Sequence, residues 1–206
     1  MTRLAILEYP DPRLRARAQL VRDFDARLAR LVQDMFETLY AAQAIGLAAP
    51  QVNVPWQLIT IDVSGAGTAP EVYINPQILA RSRWGMVEES CLSLPGISGL
   101  VKRPTALRVR ALDRDGTPFT RDLDGMAAVC LGHEIDHLSG RLFIDSLSLW
   151  RRLRLRRAGV RSTPAVPGSS SHAPAVAFAA DAPAAHGALR SDAVPFDPFQ
   201  PAKVKR

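Results

Sequence analysis

The sequence predicts an α+β fold, with an N-terminal helix and a second helix carrying an H-E-x-x-H motif. Three observations predict it. His133-Glu134-Ile135-Asp136-His137 lies in an apolar stretch that reads as helix. Leu28, Leu31, Val32, Met35 and Leu39 recur at helical spacing, and Asp25 stands where its carboxylate can cap the exposed N–H groups of a first turn. The β-prone segments are grouped between these two helices and do not alternate with further helices, which favours segregated layers over a doubly wound parallel sheet.

In chain order, the first helix follows Asp25. Leu58-Ile59-Thr60-Ile61-Asp62-Val63 reads as a strand, as does Ala106 to Leu112. Asp113-Arg114-Asp115-Gly116 is a turn, and Thr117 to Leu123 a return strand. The second helix carries His133 and His137 and should end near Gly140. No internal repeat is visible. With 206 residues, 47% of them hydrophobic and 22% charged, the chain suits one ordinary domain plus an extension. We place the domain at residues 1–149, a basic segment, helical by expectation, at 150–157, and an Ala/Pro/Ser-rich tail at 158–206.

The apolar run at Met1–Glu8 is too short for a signal peptide. No stretch approaches the ~18 apolar residues of a membrane span, so no membrane partner is expected. The two cysteines, Cys91 and Cys130, stand in unlike settings and suggest no disulfide framework. A reducing cytoplasmic location, which keeps Cys91 available, is the natural home.

On a helix, residues i and i+4 share a face, so His133 and His137 can converge on one metal ion, with Glu134 close enough to reach a water held there. Two imidazoles, an open position and a nearby carboxylate are the parts of a hydrolytic metal site. No glutamate follows Glu134, and the only later histidines, His172 and His186, fall in the low-complexity tail. The third ligand is therefore sought upstream, in Glu88-Glu89-Ser90-Cys91-Leu92-Ser93. A Cys91 thiolate is a strong ligand for iron(II), nickel, cobalt or zinc.

Three motifs in order, Ile45-Gly46-Leu47-Ala48-Ala49-Pro50-Gln51, Glu89-Ser90-Cys91-Leu92-Ser93 and His133-Glu134-Ile135-Asp136-His137, resemble those of the bacterial-type peptide deformylases. The opening Tyr9-Pro10-Asp11-Pro12-Arg13-Leu14 and the pair Asn75-Pro76 fit as well, and the resemblance covers roughly residues 3–150. It implies a central metal-binding helix packed among antiparallel β-sheets, in which Cys91, His133 and His137 bind the metal, usually Fe2+, with Ni2+, Co2+ or Zn2+ able to take its place. It implies that Glu134 is the general base, and that the Gln51 side-chain amide and the Leu92 backbone N–H stabilise the oxyanion. Gly46 is expected where backbone must approach substrate with no Cβ in the way. Ile45, Val87, Met126, Val129 and Cys130 would line an apolar pocket for the substrate methionine side chain. The implied substrates are N-formylmethionyl nascent peptides and the products formate and a free N-terminus, with a monomer as the expected state.

Three positions depart from the pattern. Ala44 stands where the first motif often has glycine, a variable position. Ser90 stands where glycine is expected before the metal cysteine; if that position needs a positive φ, serine strains it by about 1–2 kcal/mol. Gly132 replaces a glutamine, which costs about 1 kcal/mol of helix stability relative to alanine and removes a polar side chain that could support the site.

From about Ala158 the chain is rich in Ala, Pro, Ser and Gly and holds seven of the sixteen prolines, a composition expected to be disordered. Before it, Arg151, Arg152, Arg154, Arg156 and Arg157 supply most of the formal net charge of +6. They are either a solvated helix terminus or a contact to ribosomal RNA phosphates, of the salt-dependent, sequence-independent kind. Three functional readings stay open on these residues: a metal-dependent deformylase, a small metallopeptidase with the same ligands, and a catalytically silent relative that binds nascent chains or ribosomes.

Overall fold

The computed structural model describes residues 2–147 and the backbone of Val176–Ala177. The basic segment 150–157 and the rest of the tail expected at 158–206 lie outside the described residues.

Asp25 caps the first helix, α1 (Ala26–Ala41), its carboxylate accepting from the Arg27 and Leu28 N–H groups. Leu28, Val32, Met35 and Leu39 are buried on one face and Leu31 is half-buried beside them. This stripe packs with Val21, Leu47, Leu58, Ile74 and Leu112 into one of three apolar clusters.

Strands β1 (Gly46–Ala48), β2 (Leu58–Ile61), β3 (Glu71–Ser90), β4 (Ser98–Leu112) and β5 (Pro118–Asp124) follow, all antiparallel and in that order across one continuous sheet. The expected strand at 58–63 stops at Ile61 because Asp62 turns to accept the Ser64 N–H. The strand expected at Ala106–Leu112 is the second half of the longer β4. The turn at Asp113–Gly116 is closed by the Asp113 carboxylate, which accepts from the Asp115 and Thr117 N–H groups.

The long β3 carries no simple strand signal in the sequence, because it is broken at Asn75-Pro76. There Asn75 adopts a φ of 51°, Pro76 has no N–H to give the ladder, and the β3–β4 register shifts between Ile74 and Gln77. The Asn75 side chain instead braces Val21, donating to its carbonyl and accepting from its N–H at 2.9 Å each. The bulges let two strands run through both halves of the β-layer, so one bent sheet stands where separate sheets were expected. A further short strand, β6 (Val176–Ala177), pairs antiparallel with Glu88–Glu89 of β3, although the tail composition gives no strand signal.

The second helix, α2 (Gly125–Leu138), packs against β1, β2, β4 and β5 and buries most of its length, including His133, Glu134 and His137. It ends before Gly140, whose φ of 69° lets its N–H reach the His137 carbonyl. A Cβ on Gly140 would lie 2.2 Å from the Arg15 carbonyl oxygen. The N-terminal segment closes around this end. Ala18 N–H donates to the Leu138 carbonyl, Arg15 pairs with Asp145, Leu7 N–H donates to the Gln51 carbonyl, and Tyr9 N–H donates to that of Ser93.

The two departures expected to weaken the site are accommodated. Ser90 sits at the end of β3 opposite Ser98, in extended backbone with no positive φ, so the expected strain is absent. A Cβ on Gly132 would meet only the Leu107 Cδ1, at an ordinary 3.7 Å. Gly132→Ala should therefore stabilise the protein by about 1 kcal/mol, a rise in Tm of roughly 2–4 °C by calorimetry. Gly140→Ala should destabilise it by at least about 2 kcal/mol, because the new methyl meets backbone at a left-handed φ. Equal melting temperatures for Gly140→Ala and the parent would contradict this packing.

Candidate metal centre and active site

Alternation along β3 and β4 builds one wall. Val87 and Glu89 of β3 and Val101 and Arg103 of β4 point inward, while Met86, Glu88, Leu100 and Lys102 point outward. The inner Glu89 carboxylate accepts two bonds from the Arg103 guanidinium, at 2.6 and 3.0 Å, and faces His133 Nδ1 at 2.9 Å. Arg103 also pairs with Asp136, which Arg141 meets from the other side. One buried acid thus joins β3, β4 and α2.

With Nδ1 engaged by Glu89, the Nε2 side of His133 is left for the centre of the site. His137 lies one helical turn on, its ring centroid 5.1 Å from that of His133. Cys91 follows the end of β3, with its Sγ 3.2 Å from His137 Nε2. One donor atom from each of Cys91, His133 and His137 falls within 4.8 Å of the others. A thiol and two imidazoles so placed, with one ring oriented by a carboxylate, fit a single divalent transition metal.

The first motif supplies the facing wall. Gln51 is fixed at both ends of its amide: Oε1 accepts the Ala48 N–H at 2.8 Å, and Nε2 points toward Ser93 Oγ at 3.3 Å and Cys91 Sγ at 3.6 Å. Gly46 lies so near α2 that an added Cβ would stand 2.6 Å from Glu134 Oε1 and 2.7 Å from Cys130 Sγ. Glycine is required there by close approach, since its own backbone is ordinary β-strand.

Electrostatics separates the two buried glutamates. Burial alone would raise the Glu89 pKa, but its bonds to His133 and Arg103 overcome this and hold it at about 2. Glu134 has no cationic hydrogen-bond partner, only the Ala48 backbone N–H. Burial, reinforced by the charge on Glu89 and opposed by His133 and Arg103, pushes it up to about 7. Its Oε2 and the Nδ1 of His137 are buried without a hydrogen-bond partner. Burial and the neighbouring His133 hold His137 in the neutral form a ligand needs. For His133, burial favours loss of the proton, but Cys91 and Glu89 outweigh it and raise the pKa. The Cys130 thiol is pushed well up by burial and by Glu134, so it stays protonated and packs as an apolar group.

These groups border a cavity of about 380 Å³ lined by Ile45, Gly46, Gln51, Cys91, Leu92, Cys130, His133 and Glu134, with Ala44, Ser90 and the loop from Leu94 to Ser98 at its sides. His137 lies beneath it, fully buried. Of the residues expected in the apolar pocket, Ile45 and Cys130 border this cavity, whereas Val87, Met126 and Val129 do not. Val87 is covered by its cross-strand partner Val101. Val129 is fully buried one turn before His133, on the same face of α2. Met126 lies a full turn before Cys130, half-buried in the first turn of α2. Arg103 and Asp136 were not expected at the site. Arg103 reaches Glu89 diagonally across a strand pair, with no local signal, and Asp136 reads as a solvent-facing helix acid.

The chain matches the family model described as polypeptide deformylase over residues 3–152. It is 49% identical over 158 residues to a peptide deformylase of Azotobacter vinelandii, a match covering 76% of this chain and 94% of that protein. A peptide deformylase from Legionella pneumophila has a similar crystal structure, with a TM-score of 0.73 and 44% identity over 76% of this chain and 92% of that one. One from Thermotoga maritima gives a TM-score of 0.69 and 37% identity over 72% of this chain and 99% of that one. With a family model spanning well over half of its residues and a curated relative this close, the chain belongs to the polypeptide deformylase family.

Proposed function

We propose that this chain is a metal-dependent hydrolase that removes the formyl group from the N-terminal formylmethionine of newly made polypeptides and releases formate. The observation that carries the reading is the buried Glu134 carboxylate, its Oε2 unpartnered, at the wall of a cavity that Cys91 and His133 of the three-residue donor cluster also line.

Cys91, His133 and His137 would hold the ion. We assign it as iron(II), with nickel, cobalt or zinc able to substitute; a reducing cytoplasm suits a site with a thiolate ligand. The ion would supply Lewis-acid polarisation of the formyl carbonyl and an acidified water. Glu134, near neutrality in its affinity for protons, takes the proton from the attacking water and returns it to the leaving amine. Gln51 Nε2 is held beside Cys91 by the Ala48 contact and would donate to the developing oxyanion, together with the Leu92 backbone N–H. Ile45 and Cys130 offer apolar surface to the methionine side chain. Gly46 keeps the wall thin enough for Glu134 to stand beside the reacting carbon. Ser90 and Gly132, which motivated the silent-relative reading, are both accommodated without strain, and no observation favours a peptidase.

The direct test is formate release from a formyl-Met tripeptide by protein prepared anaerobically with iron(II). A Glu134→Ala protein of equal metal content should lose at least about a hundredfold in kcat. Absence of turnover at one metal per chain would overturn the reading.

The Glu134 carboxyl also makes a prediction for stability of the metal-free protein. Its pKa is raised from an ordinary 4.5 to about 7 on folding. The folded state therefore keeps a proton that the unfolded chain has lost between those values. Stability is fully present below pH 4.5 and falls as pH rises towards 7, by on the order of 3 kcal/mol. Denaturant unfolding should show this slope in the parent and not in Glu134→Gln. The same slope in both would mean another group is responsible.

We assign Arg151–Arg157 to contact with ribosomal RNA. Replacing the five arginines with glutamine should reduce ribosome co-sedimentation at low salt, and unchanged co-sedimentation would remove the assignment.

A further inference from the structure

β2 covers the edge of β3 only at Glu71–Ile74. Along the rest of that edge the one described strand is β6, where Val176 pairs with Glu89 and Ala177 with Glu88. An open strand edge is a template for any extended segment. This edge leads straight to the cavity: the next residues, Ser90, Cys91 and Leu92, line it, facing Ile45 and Gly46. A peptide that fills the cavity with its first residue must leave between those two walls, past the end of β3. The same end of the β3–β4 hairpin exposes Trp84, Met86 and Leu100, at 55%, 60% and 54%, an apolar rim beside this edge.

We propose that the β3 edge at Glu88–Glu89 is a docking site for the chain's own C-terminal segment, which pairs there through Val176–Ala177 and competes with extended polypeptide substrates leaving the cavity past Ser90. The pairing is antiparallel with Val176 opposite Glu89, so Val176 is the end of the docked pair nearer Ser90 and the cavity mouth. The connection is ample. Twenty-eight residues separate Leu147 from Val176, an extended reach of roughly 90 Å, and the covalent link raises the effective concentration of the segment at the edge. Val176-Ala177-Phe178 lies between Pro174 and Pro183, two residues unsuited to a paired strand, which confines pairing to a short stretch. A contact this short is released readily, which suits an occupant that yields to substrate. The competitive half of the proposal rests on the deformylase reading; the pairing half does not.

The test uses the full chain and a double variant, Val176→Pro with Ala177→Pro, which removes both N–H donors and lies outside the catalytic domain. Amide hydrogen exchange should show Glu88 and Glu89 protected in the parent and faster in the variant, at protein concentrations low enough to exclude contact between copies. If the segment covers the edge half to four-fifths of the time, kcat/KM for a formylated ten-residue peptide should rise about two- to fivefold in the variant. A formylated dipeptide, which does not reach the edge, should be turned over equally by both. Identical exchange in the two proteins, or protection that disappears on dilution, would overturn intramolecular docking. Altered exchange with equal kcat/KM on the long peptide would overturn the competition. Failure of both proteins to release formate while exchange still differs would count against the deformylase reading and leave the pairing standing.

Discussion

Glu89 ties the protein together at the point where chemistry occurs. Its carboxylate is fully enclosed and meets Arg103 from β4 and His133 from α2, while its own backbone belongs to β3. Removing one partner from such a group leaves an uncompensated buried charge, which typically costs 3–5 kcal/mol. The two strands and the helix are therefore held in one relative position by electrostatics as well as by apolar packing. That position fixes the imidazole of His133, and so where the three donor atoms meet.

The same arrangement explains how two buried glutamates hold opposite states. Glu89 is surrounded by cationic donors and remains a carboxylate over the whole ordinary pH range. Glu134 faces an apolar cavity wall, Gly46 backbone and the Cys130 thiol, and is easily protonated. A fold that also gave its Oε2 a hydrogen-bonded partner would be more stable and less able to move protons. The unpartnered oxygen is a local cost of the kind found where stability and activity compete.

Much of the architecture was legible in the sequence. Asp25 and the Leu28–Leu39 stripe specified α1, the Asp113–Gly116 turn fixed the β4–β5 hairpin, and the spacing of His133 and His137 put both rings on one helical face. Each of these signals is local, acting over a few residues. The parts that escaped are long-range. Arg103 finds Glu89 only because β4 pairs alongside β3 as far as Ser90, beyond the register shift at Asn75-Pro76. Serine at position 90 looked costly because glycine is the expected residue, yet the backbone there is ordinary strand.

The contacts of the N-terminal segment set an order for how the site is completed. Its residues brace the carbonyls of Gln51 and Ser93 and then reach the far end of the domain, with Ala18 on Leu138 and Arg15 on Asp145. The last of these spans 130 residues of sequence. On a ribosome, the first segment to emerge must wait for nearly the last of the domain before it can settle. The loops bearing Gln51 and Ser93 gain their full support only when synthesis of the domain is finished, so a partly made copy of this protein has no complete active site.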